Sequence, residues 1–284
     1  MAERQDDVRK HYAIPEMAAK VVAVLESLGI DPTQLKAEQL YPMDQLHGRN
    51  IDATRDHVAR LNLTPRDYVL DVGSGVGGPA RYIAATTGAK VTGIDLTAEF
   101  VATARDLTRR CGLEGQVSFQ EGDALAMPFP DLTFDAALCL YVAMNIEAKV
   151  QLASEIARVL KPGGRLVWSE VVLGDGGAPE FPLPWAREPA FSFLMTDGAL
   201  RQAVESSGLK IVEWIDERQV IADWIRQQQQ AAAGRQQSAG PLPAGPSPHD
   251  MLMGEGFPER RKNYARNLAE GRIGSIALVA HKPR

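Results

Sequence analysis

The 284-residue chain is 45% hydrophobic and 24% charged, with a formal charge of −5. It can build a sizeable core and lacks the basic stripe that tracks nucleic-acid phosphates, so no nucleic-acid partner is expected. No apolar run approaches the ~18 residues of a membrane span, which leaves no expected membrane partner.

The N-terminal MAERQDDVRK has no apolar signal-peptide core, so a cytoplasmic location is expected. In residues 15–29, Ala18, Val21, Val22, Leu25 and Leu28 recur at helical spacing, with Pro15 near the start and Gly29 as the stop. The stretch LYPMDQLHGRN reads as irregular, and a second helix is expected over 51–62. Strands are then expected at 67–72, 90–95, 116–121, 134–140 and 165–172, with helices at 78–87, 97–112 and 147–160 between them. Such alternation implies a parallel sheet covered on both faces. Val150, Leu152, Ile156, Val159 and Leu160 mark the buried face of the last of these helices.

Residues 173–196, rich in Gly, Pro and aromatics, read as a long ordered loop. A helix over 197–208 and a strand over 210–216 follow. The segment 226–250 is of low complexity; its first half can extend a helix, and its Pro/Gly-rich second half is expected to be mobile. A helix at 257–270 and a strand at 275–282 close the chain. Glu259-Arg-Arg-Lys-Asn263 fits a solvated helix face. Cys111 and Cys139 form no C-x-x-C pair and the five histidines no H-E-x-x-H, so neither a disulfide nor a metal site is expected.

The chemistry concentrates in VLDVGSGVGGPARYIA (69–84), where an apolar strand enters a glycine cluster that opens a helix. Glycines 73, 75 and 78 fit G-x-G-x-x-G, a turn where a nucleotide approaches backbone. The pattern alone does not separate a dinucleotide from S-adenosylmethionine. Asp95, roughly 20 residues on, suits ribose hydroxyls in either case. Asp71 is more telling, because a carboxylate ending a buried strand needs a donor, and a methionine ammonium supplies one. Asp123 follows the third strand, Asp135 begins the fourth, and Lys161-Pro-Gly-Gly164 stops a helix before the fifth.

Together these residues resemble class I S-adenosylmethionine-dependent methyltransferases over roughly 63–172. The resemblance implies a Rossmann-like α/β fold with a seven-stranded, mostly parallel sheet whose last strand is antiparallel. It also implies that Asp71, Gly73, Gly75, Asp95, Leu96, Asp123 and Ala124 bind the cofactor. Residues 1–62 would form an N-terminal helical cap segment, and 63–284 the methyltransferase domain with cap insertions at 173–196 and 218–272. A dehydrogenase would want a Tyr-x-x-x-Lys pair or a His/Asp couple, which are not evident here. A non-catalytic module that binds the cofactor as a regulator is the third alternative.

The segments 43–61, 141–164, 180–194 and 261–274 extend the resemblance to the sarcosine and dimethylglycine N-methyltransferase group, which implies a small-molecule amine as acceptor. Transfer to C, O or S of a natural-product or quinone-like molecule is the alternative. Two positions depart from the group: His47-Gly48-Arg49 stands where His-Gly-Gly is expected, and Tyr141 where His often precedes Val-x-Met-Asn-Ile. His47 and Tyr141 are the catalytic candidates, and Asn145, Trp185 and Arg187 the substrate-binding ones. Glu170 and the Phe191/Phe193 pair are further candidates. Each has a structural alternative: a helix cap for His47 or Asn145, adenosine packing for Tyr141, a satisfied strand acid for Glu170, loop anchoring for the aromatics and a surface position for Arg187. Trp185 could cover a methylated ammonium, and Arg187 could pair with an acceptor carboxylate.

Overall fold

A computed structural model describes residues 16–239 and 256–284. Three helices come first: α1 (Met17–Ser27), α2 (Ala37–Asp44) and α3 (Asn50–Arg60). The alternating region gives β1 (Tyr68–Val72), α4 (Gly78–Thr87), β2 (Lys90–Asp95), α5 (Ala98–Arg110), β3 (Val117–Glu121), β4 (Phe134–Leu140), α6 (Lys149–Val159) and β5 (Leu160–Leu173). After the loop come α7 (Asp197–Ser206), β6 (Lys210–Asp216), α8 (Arg218–Ala239), α9 (Phe257–Ala269) and β7 (Ile273–His281). Pro15 and the Pro/Gly-rich half of the 226–250 segment from residue 240 lie outside the described residues.

The seven strands form one sheet in the order β3-β2-β1-β4-β5-β7-β6. Strands β1 to β5 pair in parallel, and β7 runs antiparallel between β5 and β6. The strands alternate between two apolar layers, as the two-residue period requires. Val69, Leu138 and Val167 point into the layer that holds Ile83 of α4. Leu70, Cys139 and Trp168 point into the layer that holds Leu152 and Ile156 of α6. The chain steps outward from β1 through β2 to β3, then returns to place β4 on the other side of β1. This reversal opens a crevice at the carboxyl ends of β1 and β4, where open α/β sheets bind ligands.

Four details differ from expectation. Residues 37–44 form a helix despite Pro42. Its first turn is closed by the Gln39 side chain, which accepts from Lys36 N at 2.8 Å, its apolar face buries Leu40 and Met43, and it ends two residues after the proline. In α1 the buried stripe is Met17, Val21, Val24 and Leu25, and Leu28, beyond the helix end, is 56% exposed. On α6 Val150 faces solvent, because it lies off the stripe formed by Leu152, Ala153 and Ile156. Finally, the Lys161–Gly164 turn is absorbed into β5: Leu160 already pairs with Phe134, and the register shifts before Ala136 meets Arg165. Lys161 there binds Asp135 at 2.7 Å, at the edge opposite the crevice.

The apolar faces of α1 and α2 pack with Val76 of the glycine loop and with Phe100 and Leu107 of α5. The N-terminal helices therefore sit over the nucleotide-side end of the sheet.

Candidate active site

The glycine loop is shaped by close approaches. Gly73 has φ +67°, and a Cβ there would lie 2.4 Å from Val142 Cγ2, so no side chain fits between the ends of β1 and β4. Gly78, opening α4, lies against the Asp44 carbonyl, 2.2 Å from where its Cβ would be. Asp95 reaches across from β2: Gly75 N donates to its Oδ2 at 2.8 Å and Thr97 N to its Oδ1 at 2.9 Å. Burial pushes the Asp95 carboxyl up, opposed by the Thr97 and Gly75 N–H groups.

Asp71 is 2% exposed, and its Oδ2 has no hydrogen-bond partner among the described residues. Burial first, then the neighbouring Asp95 carboxylate, pushes its pKa up to about 7. A buried carboxylate oxygen left without a donor is costly and marks a place for a cationic ligand.

A cavity of about 360 Å³ opens at this edge. Asp71, Gly73, Gly75, Asp95, Leu96, Asp123 and Ala124 line it, as do His47, Tyr141, Asn145, Trp185 and Phe193. Three expected residues lie elsewhere. Arg187 is exposed and absent from the lining, because the loop turns it outward while Trp185 is buried. Phe191 packs against the core layer of α4. Glu170 is buried in β5, where Val171 N donates to it at 2.8 Å. Burial pushes its carboxyl up to about 7, against the pull of Lys149.

Tyr141 follows β4 with φ +55°, a left-handed conformation costly for an aromatic residue. Its N–H donates to Ser169 O at 2.8 Å, and its hydroxyl meets Ser275 Oγ at 3.2 Å. Burial and the Glu217 carboxylate hold the phenol far above its ordinary range, so it acts as a protonated group and not as a base. The ring stacks on His47, centroids 5.7 Å apart and planes 12° apart. His47 Nε2 lies 3.0 Å from Thr54 Oγ1, so the side chain is held along α3 and does not cap it. Asn145 donates to Val142 O at 3.4 Å, and the cap of α6 is Ala148. Trp185 donates from Nε1 to Ser192 Oγ at 3.0 Å.

Lys149 fastens the loop to this floor. Its Nζ donates to Ala143 O and Ile146 O, each at 2.9 Å, and to Phe193 O. Behind Tyr141, Glu217 Oε2 accepts from Ser169 Oγ at 3.0 Å and Ser275 Oγ at 3.2 Å, and its Oε1 from Arg49 at 3.3 Å. Burial, with the charges of His47 and Arg49, pushes the adjacent His57 down to about 3, so it is neutral at physiological pH. Sequence reasoning missed Glu217 and the lining residues Asp44, Pro184 and Phe257, which carry no motif.

A family profile described as "Methyltransferase domain" matches residues 70–168. Methyltransferase GfsG of Streptomyces halstedii is 40% identical over 232 residues, covering 79% of this chain and 77% of that protein. The chain belongs to the methyltransferase family. It spans about a third of the length of several other curated methyltransferases it matches. Among solved structures, the geranyl diphosphate C-methyltransferase of Streptomyces coelicolor A3(2), with S-adenosyl-L-homocysteine bound, shares 16% identity over 98% of both chains at TM-score 0.70. A putative sarcosine dimethylglycine methyltransferase of Galdieria sulphuraria shares 15% over 93% of this chain and 98% of that one, at TM-score 0.63. At these identities the likeness is one of fold.

This methyltransferase is S-adenosylmethionine-dependent. The residues present fit the cofactor: an unpartnered buried carboxylate oxygen for an ammonium, a glycine turn that excludes side chains, and an acid at the end of β2. Among the described residues no helix is long and apolar enough to cross a membrane, and no cluster of His, Cys, Asp and Glu could hold a metal ion.

Proposed function

We propose that this methyltransferase transfers the methyl group to a hydroxyl of an apolar small molecule, with His47 taking the hydroxyl proton. One observation carries this reading: among the described residues lining the cavity there is no Lys or Arg, while Tyr141, Trp185, Phe193 and Met144 supply apolar wall. An amino-acid acceptor such as sarcosine would bring a second carboxylate beside that of the cofactor's methionine, deeper among the aromatic walls, where no cation offsets its desolvation. Arg187, expected in that role, faces solvent.

In this reading Asp71 binds the methionine ammonium, Asp95 the ribose hydroxyls, and Asp123 with Leu96 and Ala124 the adenine edge. The cofactor supplies a sulfonium methyl for in-line displacement. The protein orients the acceptor and excludes water. The described parts of 1–62 and 218–272, with 173–196, act as the cap: His47, Trp185, Phe193 and Phe257 reach the cavity from them. Asn145 and Trp185 position the acceptor, and Tyr141 supports the His47 ring by stacking.

Asp95→Ala is expected to weaken S-adenosylhomocysteine binding by about 1.5–3 kcal/mol, the range for hydrogen bonds to a charged group. Calorimetry checks this, with NAD as the control that should not bind comparably. Asp71 adds a pH signature. Its folded pKa is raised from 3.8 to about 7, so the neutral acid favours the folded state, and that contribution is lost as pH rises from about 4 through 7. A ligand ammonium reverses the preference. Binding of S-adenosylhomocysteine at pH 6 should therefore release a proton, and release should fade by pH 8.5. Calorimetry in buffers of different ionisation enthalpy reads this, and Asp71→Asn should abolish it.

An acceptor panel with methyl-labelled cofactor tests the reading as a whole. Label should enter the oxygen of hydroxylated apolar compounds and not glycine, sarcosine or dimethylglycine. Transfer to those amines, or to carbon alone, would reject it.

A further inference from the structure

The loop that carries Trp185 is held at two separate places. Its outgoing arm is fixed to the floor of the cavity, where Phe193 N donates to Met144 O at 2.8 Å and Lys149 grips the Phe193 carbonyl. Its incoming arm is fixed to α9. Asn267, buried on that helix at 0% exposure, spans both backbone groups of Glu180. Glu180 N donates to its Oδ1 at 2.7 Å, and its Nδ2 donates to Glu180 O at 2.9 Å. Asn263, one turn earlier, donates from Nδ2 to Pro182 O at 3.1 Å.

Between the two arms, Leu183 N donates to Ala186 O at 2.7 Å and Ala186 N to Leu183 O at 3.2 Å. This closes a tight turn with Pro184 and Trp185 at its tip, and both line the cavity. Tyr264, beside Asn263 on α9, meets the Trp185 ring edge-on, centroids 6.1 Å apart and planes 84° apart. The chain is therefore pinned at 180, 182 and 183 immediately before it delivers the indole.

The residue type at 267 matters for its chemistry. An irregular segment has no ladder to pair its backbone groups, and Asn267 supplies both partners to Glu180. A carboxylate only accepts and an aliphatic side chain does neither, so of the side chains of this size the carboxamide alone meets an N–H and a C=O together. The second Nδ2 hydrogen goes to Asn263 O at 2.8 Å, which joins the two asparagines into one clamp.

We propose that Asn267 and Asn263 are positioning residues for methyl transfer: through Glu180 and Pro182 they set where Trp185 stands in the acceptor part of the cavity. This rests on the reading above that Trp185 positions the acceptor, and it holds whichever acceptor atom is methylated.

Amide exchange on the full chain saturated with S-adenosylhomocysteine gives the first test. Asn267→Ala should speed exchange over 180–186, while Phe193, held by the other arm, and the sheet keep their protection. Kinetics with the compound that takes up most label in the acceptor panel give the second. Asn267→Ala should lower kcat/KM for that compound about 10- to 100-fold, the scale of a displaced positioning group. Affinity for S-adenosylhomocysteine should change less than about threefold. In a Trp185→Ala background the same substitution should cost less than about threefold more, because the path through the indole is already cut. Asn263→Ala gives up one bond from a half-buried residue and should show the same pattern at about 3- to 10-fold, which keeps the test open if Asn267→Ala does not fold. Equal losses in both backgrounds, a parallel fall in S-adenosylhomocysteine affinity, or wild-type kinetics in both asparagine variants would overturn the inference. Full activity of Trp185→Ala alone would instead remove Trp185 from the acceptor site, and the inference would fall with that reading.

Discussion

Replacing Arg81 with methionine is expected to lower the unfolding free energy by about 3–5 kcal/mol, the cost of breaking a buried ion pair from one side. Both partners are essentially inaccessible, at 0% and 1% side-chain exposure, and 2.9 Å apart. The guanidinium also donates to Val76 O at 2.7 Å, to Thr108 Oγ1 at 3.1 Å and to Ala104 O at 3.3 Å. It thereby ties α2, the glycine loop and α5 together. Methionine fills much of the volume but leaves Asp44 as an uncompensated buried charge and removes the guanidinium's hydrogen bonds to Val76 O and Thr108 Oγ1. Urea denaturation measures the loss. Pairing Arg81→Met with Asp44→Leu should recover part of it, since the remaining charge is then gone. A loss below about 1 kcal/mol for the single variant would mean the pair is solvated in solution.

His47→Ala should lower turnover by roughly 10²- to 10³-fold, within the range for a lost general base, with S-adenosylhomocysteine affinity little changed. Tyr141→Phe should cost less, about 10-fold, since the phenol stays protonated and the stacked ring survives; what is lost is positioning. The informative pairing is turnover against product affinity for each variant. Loss of both in parallel would assign these residues to the nucleotide cap. Retention of near-full turnover by both would remove them from the transfer step.

Strands β1, β2 and β4 were legible because each carries a continuous buried run between polar or glycine-rich flanks, and the limits of β4 and β6 fall where expected. Asp71 and Asp95 were legible for a related reason. A carboxylate ending a buried strand beside a glycine turn has few structural uses, and both side chains line the cavity.

What escaped depends on tertiary meeting. Asp44 and Arg81 are 37 positions apart, and Arg49 and Glu217 are 168 apart. No local pattern announces that such residues share a buried site. Pro42 hid α2 because local propensity weighs against proline inside a helix, whereas the burial of Leu40 and Met43 outweighs it. Trp185 and Arg187 stand two residues apart on the same loop, yet one is buried and the other exposed. In an irregular segment no period tells which side chain turns inward.

A crystal structure of the protein with S-adenosylhomocysteine tests the central assignment most directly. The ammonium should meet Asp71 Oδ2 and the ribose hydroxyls Asp95. The sulfur should face the part of the cavity bounded by His47, Tyr141 and Trp185. A ligand bound outside this cavity, or seated with its sulfur turned away from His47 and Tyr141, would contradict it.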